Sequence, residues 1–233
     1  IKLLFKKMMK TTYYLLSKIL SKKYLFRLDK LRLGYKMIND NDGYLVKTGY
    51  IDSKINNTLK VNGEYVPWFN FSFIEILKHK LKKDLTVFEY GSGASTLFFS
   101  NRCKQVTSIE HDKNWFSEIK TLTKDNLNTE LHFFKLDKSY PNSINEIHTD
   151  KKYDVIIVDG RMRNECCLAI KNKLKPKSVV ILDDSHRDKY KEGVSFLLSL
   201  GFAVLNFKGL KPLGYKIDQT SLFYKPGNNC LDL

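Results

Sequence analysis

The sequence predicts an α/β domain built on a doubly wound, mostly parallel sheet with helices on both faces. Three observations carry that prediction. Between residues 85 and 201, short apolar stretches alternate with amphipathic ones across brief connections, which is the pattern of βα units in a parallel sheet. A glycine-rich turn, Gly91-Ser92-Gly93, follows the first apolar stretch directly. The apolar stretches also end on acids, at Glu89, Glu110, Asp137, Asp159 and Asp183–Asp184. Ligands of such sheets gather at the carboxyl ends of the strands, so the expected ligand edge is acidic throughout.

The elements follow in order. LTVFEY (85–90) reads as a strand, and ASTLFFSNR opens a helix after the glycine turn. QVTSIEHD (105–112) is a strand and NWFSEIKTLTKDN a helix; ELHFFKLD (130–137) and YDVIIVDG (153–160) read as two successive strands. RNECCLAIKNKL is a helix, SVVILDDS (178–185) a strand and KYKEGVSFLLSLG a helix. FAVLNFKGL and TSLFYK close the pattern as a pair joined by a loop holding Gly209, Pro212 and Gly214. Upstream, Pro67 and an Asn or Ser cap lead into a helix carrying Phe73, Ile76, Leu77 and Leu81. Residues 34–70, with Gly34, Gly43, Gly49 and Gly63, read as loops and short strands.

The first 26 residues place Phe5, Met9, Leu16 and Leu20, and Leu4, Met8, Leu15 and Ile19, at helical spacing among lysines. Three roles for residues 1–28 stand side by side: packing on the domain or on a second subunit, lying on a membrane surface, or joining an upstream domain. The chain opens on Ile1, consistent with preceding residues or with a module of a longer polypeptide. It divides into a basic amphipathic segment, 1–40, and a domain, 41–233, with its core over 85–230.

Net charge is +15, yet residues 1–40 alone hold nine Lys and two Arg against Asp29 and Asp40. That leaves +6 for the other 193 residues, which carry no nucleic-acid motif, and no nucleic-acid partner is expected. Lysines interrupt every apolar run that could become a transmembrane helix, and no signal peptide is evident. Cys103, Cys166, Cys167 and Cys230 form no C-x-x-C pair and read as reduced thiols of a cytoplasmic protein, one open to peripheral membrane contact.

The glycine turn narrows the ligand. It lacks the third glycine of a dinucleotide fingerprint, and no Gly-Lys-Ser/Thr follows, which excludes a P-loop. Glu89, two residues before Gly91, would repel a phosphate and favour a cationic ligand without one, such as S-adenosylmethionine. Glu110 ends the second strand, where an acid accepts both ribose hydroxyls of a nucleoside cofactor.

EYGSG, SIEHD, YDVIIVDGR and VVILDDSHR together resemble a class I S-adenosylmethionine-dependent methyltransferase, over roughly residues 65–230. The likeness extends to methyltransferases of surface-glycan synthesis and, in layout, to metal-dependent O-methyltransferases of sugars and catechols. The resemblance implies a Rossmann-like seven-stranded sheet whose last strand is antiparallel. Glu89, Gly91, Ser92 and Gly93 would then line the methionine part of the cofactor, Glu110 would hold the ribose and Asp137 would reach the adenine. It also implies that residues 41–80 cover the acceptor, a sugar or glycan hydroxyl; a phenol or other small-molecule hydroxyl, and a non-catalytic interaction module on the same fold, are the alternative readings.

Methyl transfer to such a hydroxyl requires proton removal, by a general base or a metal. If their strands are neighbours, Asp159, Asp183 and Asp184 converge, and crowded carboxylates need a cation between them; hard oxygen ligands suit Mg²⁺ or Mn²⁺. Metal-free base catalysis by Asp159 or His186 is the second reading. Purely structural acids are the third, with Asp159-Gly160 a turn and Asp183 a helix cap. Arg161 and Arg163 would balance the acids or grip an acidic substrate group. Tyr65, Trp68, Phe69 and Phe71 would stack on a sugar ring or fill a core.

Overall fold

The computed structural model describes residues 2–19 and 22–233. Leu20, and the side chains at positions 4, 5, 9 and 19 of the expected stripes, lie outside the described residues. The chain divides into two compact units, one ending at Asp52 and one running from Ser53 to Leu233.

The first unit holds α1 (Lys2–Ile19), α2 (Lys22–Asn39) and α3 (Tyr44–Lys47), with α4 (Tyr50–Ile55) at the division. The loops and short strands expected over 34–70 give way to helix in their first part, because α2 continues through Gly34 to Asn39 and α3 and α4 follow. A lone glycine costs a helix only about 1 kcal/mol, too little to end it. Within this unit Tyr13 meets α2: the Arg32 guanidinium lies 4.9 Å over its ring, and a hydrogen bond with Asp29 raises its pKa.

The second unit begins with a hairpin, β1 (Lys60–Val61) and β2 (Glu64–Tyr65), turned by Asn62-Gly63 with φ of +52° and +81°. Two successive residues at positive φ make the tight turn that an Asn-Gly pair favours. Next comes α5 (Phe71–Lys80), capped by Asn70, whose side-chain oxygen accepts from Phe73 N at 3.0 Å.

The main sheet comprises β3 (Thr86–Tyr90), β4 (Gln105–Glu110), β5 (Thr129–Phe133), β6 (Tyr153–Val158), β7 (Leu174–Asp183), β8 (Ala203–Leu210) and β9 (Ile217–Tyr224). Their order across the sheet is β5-β4-β3-β6-β7-β9-β8. All run parallel except β9, which is antiparallel to both of its neighbours. Seven strands with an antiparallel last strand match the predicted sheet. β3, β6 and residues 178–183 of β7 are buried on both faces, which explains their apolar reading.

Helices α6 (Ala94–Ser100), α7 (Lys113–Leu122), α8 (Ser139–Ile147), α9 (Arg163–Ala169) and α10 (Lys191–Ser199) connect the strands. Phe88, Tyr90, Ile156 and Val180 on one sheet face pack with Tyr140 and Ile144 of α8, Cys166 and Cys167 of α9 and Leu197 of α10. Phe207 faces the other side, its ring 4.7 Å from Phe73 of α5. All four cysteines are buried and free, and burial raises the pKa of each thiol well above its ordinary value.

Two further expectations are corrected. A helix, α8, separates the strands at 130–137 and 153–160; its Ser-Tyr-Pro-Asn-Ser opening looks like a loop, but Pro141 lies in the first turn, where no backbone N–H is required. Gly209 lies inside β8 and not in the closing loop.

Candidate active site

The chain folds β3 to β4 to β5 outward and then returns to place β6 beside β3, so the order reverses between β3 and β6. Outside the carboxyl ends at this switch point lies a cavity of about 660 Å³. Its size falls in the range of small-molecule sites.

One wall is the glycine turn. Gly91 has φ +91°, and a Cβ there would come within 2.8 Å of Gly160 Cα; a Cβ on Gly160 would land on the Tyr140 hydroxyl. The ends of β3 and β6 therefore approach as bare main chain. Tyr90 O accepts from Asp159 N at 3.1 Å, and Gly91 N donates to Ile109 O at 3.0 Å.

Glu89 holds the turn from below and is absent from the cavity wall. It is fully buried, and its Oε2 accepts from Thr96 Oγ1 at 2.5 Å and from Ser108 Oγ at 2.7 Å. Thr96 Oγ1 in turn accepts from Gly93 N at 3.0 Å. Burial pushes Glu89 up to about 7 against the nearby Ser95, Thr96 and Ser108 hydroxyls, which favour its charged form.

Glu110 lines the cavity and accepts four hydrogen bonds. Oε2 takes Ser92 N at 3.2 Å and Ser92 Oγ at 3.1 Å, while Oε1 takes His111 N at 2.7 Å and Asp112 N at 2.9 Å. Asp112 caps α7, accepting from Asn114 N and Trp115 N at 2.9 Å. Trp115, a residue the sequence reading passed over, sits at the same wall and donates from Nε1 to Ser92 O at 2.8 Å. Asp137 lies elsewhere: exposed and away from the cavity lining, it accepts from Ser139 N at 2.8 Å ahead of α8, and hydrogen bonds from the Ser139 hydroxyl and N–H lower its pKa.

The opposite wall gathers the predicted acids. β6 and β7 are neighbours, so Asp159, Asp183 and Asp184 converge on the cavity. The cations between them belong to the chain. Buried Arg163 donates to Asp159 Oδ1 at 2.9 Å, to Gly160 O at 3.0 Å, to Asp184 Oδ2 at 3.4 Å and to the Asp183 carbonyl. Lys211, 4% exposed, donates to Asp183 Oδ2 at 2.7 Å and to Asp184 Oδ1 at 3.2 Å. Asp183 Oδ1 accepts from Thr220 Oγ1 at 2.6 Å, and Arg187 pairs with Asp184 at 2.8 Å.

Burial and the neighbouring Asp183 raise Asp159 well above the usual carboxylate range, against the pull of Arg163 and Lys211. Burial works against both cations, but the surrounding aspartates outweigh it, so Lys211 and Arg163 are raised and stay charged.

Three carboxylates thus face Arg163, Lys211 and Arg187, and the set is formally neutral without an added ion. A divalent metal at Asp159, Asp183 and Asp184 would have to displace these cations or be repelled by them. The residues do not fit one. His186 is exposed and outside the cavity lining; its ring, Asp184 and Asp218 bring one donor atom each within 4.8 Å, but both Asp184 oxygens already serve cations. Of the aromatics, Phe69 and Phe71 are buried, Tyr65 stands in the hairpin under Lys60, and Trp68 reaches the cavity half exposed, donating to Pro212 O at 2.8 Å. Arg161 also lines the cavity and is exposed.

Comparison with known proteins agrees with this architecture. No protein-family model and no curated protein matches the sequence. Among solved structures, the chain is similar to a precorrin-6y C5,15-methyltransferase from Geobacter metallireducens, with 19% identity over 66% of this chain and 87% of that one and a TM-score of 0.51. A precorrin 8w decarboxylase from Methanobacterium thermoautotrophicum has 21% identity over 73% and 97%, with the same TM-score. Aeropyrum pernix fibrillarin, solved with natively bound S-adenosyl-L-methionine, has 12% identity over 70% and 84%, also at 0.51. At these identities the likeness is one of fold: the chain carries the Rossmann-like methyltransferase fold, a mostly parallel seven-stranded sheet with flanking helices.

Proposed function

We propose that residues 53–233 form an S-adenosylmethionine-dependent O-methyltransferase whose acceptor is a sugar or glycan hydroxyl. The observation that carries this reading is a single cavity with a glycine turn and Glu110 on one wall and Asp159 on the other. The first wall suits a nucleoside cofactor: Glu110 takes the ribose hydroxyls, exchanging its long contact with Ser92 Oγ, and Trp115 offers a ring face to the adenine. The fibrillarin that shares the fold binds this cofactor in its own structure, which supports the assignment. Trp68, half exposed at the rim, gives a sugar ring a face to stack on.

On the acceptor side, Asp159 is the base. Its raised pKa brings proton affinity toward that required near neutral pH. The acceptor hydroxyl gives its proton to the Asp159 carboxylate while its oxygen attacks the sulfonium methyl in line. The C–S bond breaks and S-adenosylhomocysteine leaves with the electron pair. Lys211 has three N–H groups, and Asp183 and Asp184 take two. The third steadies the negative charge that grows on the acceptor oxygen. No metal enters this chemistry, since the internal cations fill that role.

Calorimetric titration with S-adenosylhomocysteine tests the reading. Wild type should bind, and Glu110→Ala should lose ten- to hundredfold in affinity, the worth of hydrogen bonds to a charged group. Asp159→Asn should keep that affinity within about threefold while losing methyl transfer to a panel of sugar acceptors. Mn²⁺ should show no stoichiometric site, with or without the nucleoside. Wild type that ignores S-adenosylhomocysteine would sink the cofactor assignment; tight Mn²⁺ binding abolished by Asp183→Asn would sink the metal-free chemistry.

A further inference from the structure

Helices α1 and α2 expose large apolar side chains. Tyr24, Leu31 and Ile38 fall seven residues apart on α2 and so share one helix face, and they are 57%, 71% and 47% exposed. Phe26 and Leu33 repeat the spacing on another face of α2, and Met8 and Leu15 do so on α1, all more than half exposed. The side of α2 that meets α1 is different again, carrying Asp29 and Arg32 against Tyr13. Among the described side chains of residues 2–39, none is buried. Two 18-residue helices with this much aliphatic surface, and no buried side chain among those described, gain most of their stability from whatever covers them.

The charge of residues 1–40 says what that is. Eleven basic residues against two acids give +9. Arg27 stands between Tyr24 and Leu31 on the same ridge of α2, three residues after one and four before the other. Lys30 lies 4.6 Å over the Phe26 ring and Lys18 lies 4.7 Å over Tyr14. Cations beside aliphatic and aromatic surface fit an interface that is apolar within and negative at its edge. A second copy would bring +9 against +9. A nucleic acid would satisfy the lysines but leave Leu31, Leu33 and Ile38 in water. No described helix is long and apolar enough to cross a membrane, so contact is with the surface.

We propose that α1 and α2 form a docking element for a membrane surface rich in anionic lipid. Tyr24, Leu31 and Ile38 enter the boundary between headgroups and acyl chains, and the flanking lysines and arginines bind headgroup phosphates. The proposal stands apart from the methyltransferase reading, and neither depends on the other.

Flotation of the full chain with vesicles tests it. Vesicles of phosphatidylcholine with about one third phosphatidylglycerol should bind at least tenfold more protein than phosphatidylcholine alone, and raising NaCl from about 50 to about 500 mM should remove most of that gain. Leu31→Ser with Ile38→Ser should lose about tenfold. Arg27→Gln with Lys30→Gln, both good helix formers, should lose about fivefold per charge in anionic vesicles and nothing in neutral ones. Circular dichroism of each variant checks that the helices persist. Failure to float with either vesicle overturns the proposal. So does a stable dimer in solution that Leu31→Ser dissociates, which makes the occupant a second copy. A shift of a single-stranded RNA in place of vesicle binding overturns it in favour of nucleic acid.

Discussion

Replacing Arg163 by Met is expected to destabilise the domain by about 3–5 kcal/mol, the cost of removing one partner from a buried ionic network. Met keeps much of the volume, so the loss reports charge and hydrogen bonding more than packing. Arg163 joins the end of β6 to the end of β7, binding the Asp159 carboxylate at 2.9 Å, the Asp184 carboxylate at 3.4 Å and the carbonyls of Gly160 and Asp183. Without it, three aspartates share Lys211 and the partly exposed Arg187. Urea denaturation at neutral pH measures the deficit. It should narrow as the pH falls, because protonating Asp159 removes charge that has lost its partner. A loss below 1 kcal/mol would mean that Lys211 alone neutralises the cluster.

Glu89→Gln should change how stability depends on pH more than stability itself. The folded Glu89 titrates at about 7, against 4.5 for the free side chain. A folded value above the unfolded one means that folding favours the protonated form. Its contribution is therefore complete below pH 4.5 and is lost as the pH climbs to about 7. A displacement of this size is worth about 3 kcal/mol across that window. The glutamine variant should lack most of this decline and should match or exceed wild type above pH 7. Asp159 shifts in the same direction and will leave a residual slope. Denaturation series at several pH values between 5 and 8 make the comparison; parallel slopes for the two proteins would show that Glu89 is ionised throughout.

Much of the core was readable from the chain because parallel strands buried on both faces leave continuous apolar runs, as in TVFEY, YDVIIV and SVVILD. The acidic strand ends were equally plain, and adjacency of β6 and β7 brings Asp159, Asp183 and Asp184 together as anticipated. What answers them was not plain. Lys211 lies 28 positions from Asp183 along the chain, and nothing local to Leu-Lys-Pro marks it as buried. The available signal was topological: β8 is parallel to the core, so Lys211 follows the carboxyl end of its strand, on the edge where the other strands end in acids. Asp137 shows the reverse failure. An acid just after an apolar run reads as a ligand residue, but the local hydrogen bond from the Ser139 amide won. Glu89 falls between these cases, since its place beside the turn was legible and its burial beneath it was not.

The close approach of Gly91 and Gly160 has a consequence for how this cavity can vary. Its two walls are spaced by main chain against main chain, with no side chain between them to lengthen or trim. Sequence drift can reshape the rim at Trp68 or Arg161 and retune who enters, while the distance from the glycine turn to Asp159 stays constant. Alanine at either glycine would act as a spacer and move the walls apart. The gap across which a group could pass is thus a property of the backbone, inherited intact by any variant that keeps those two hydrogens.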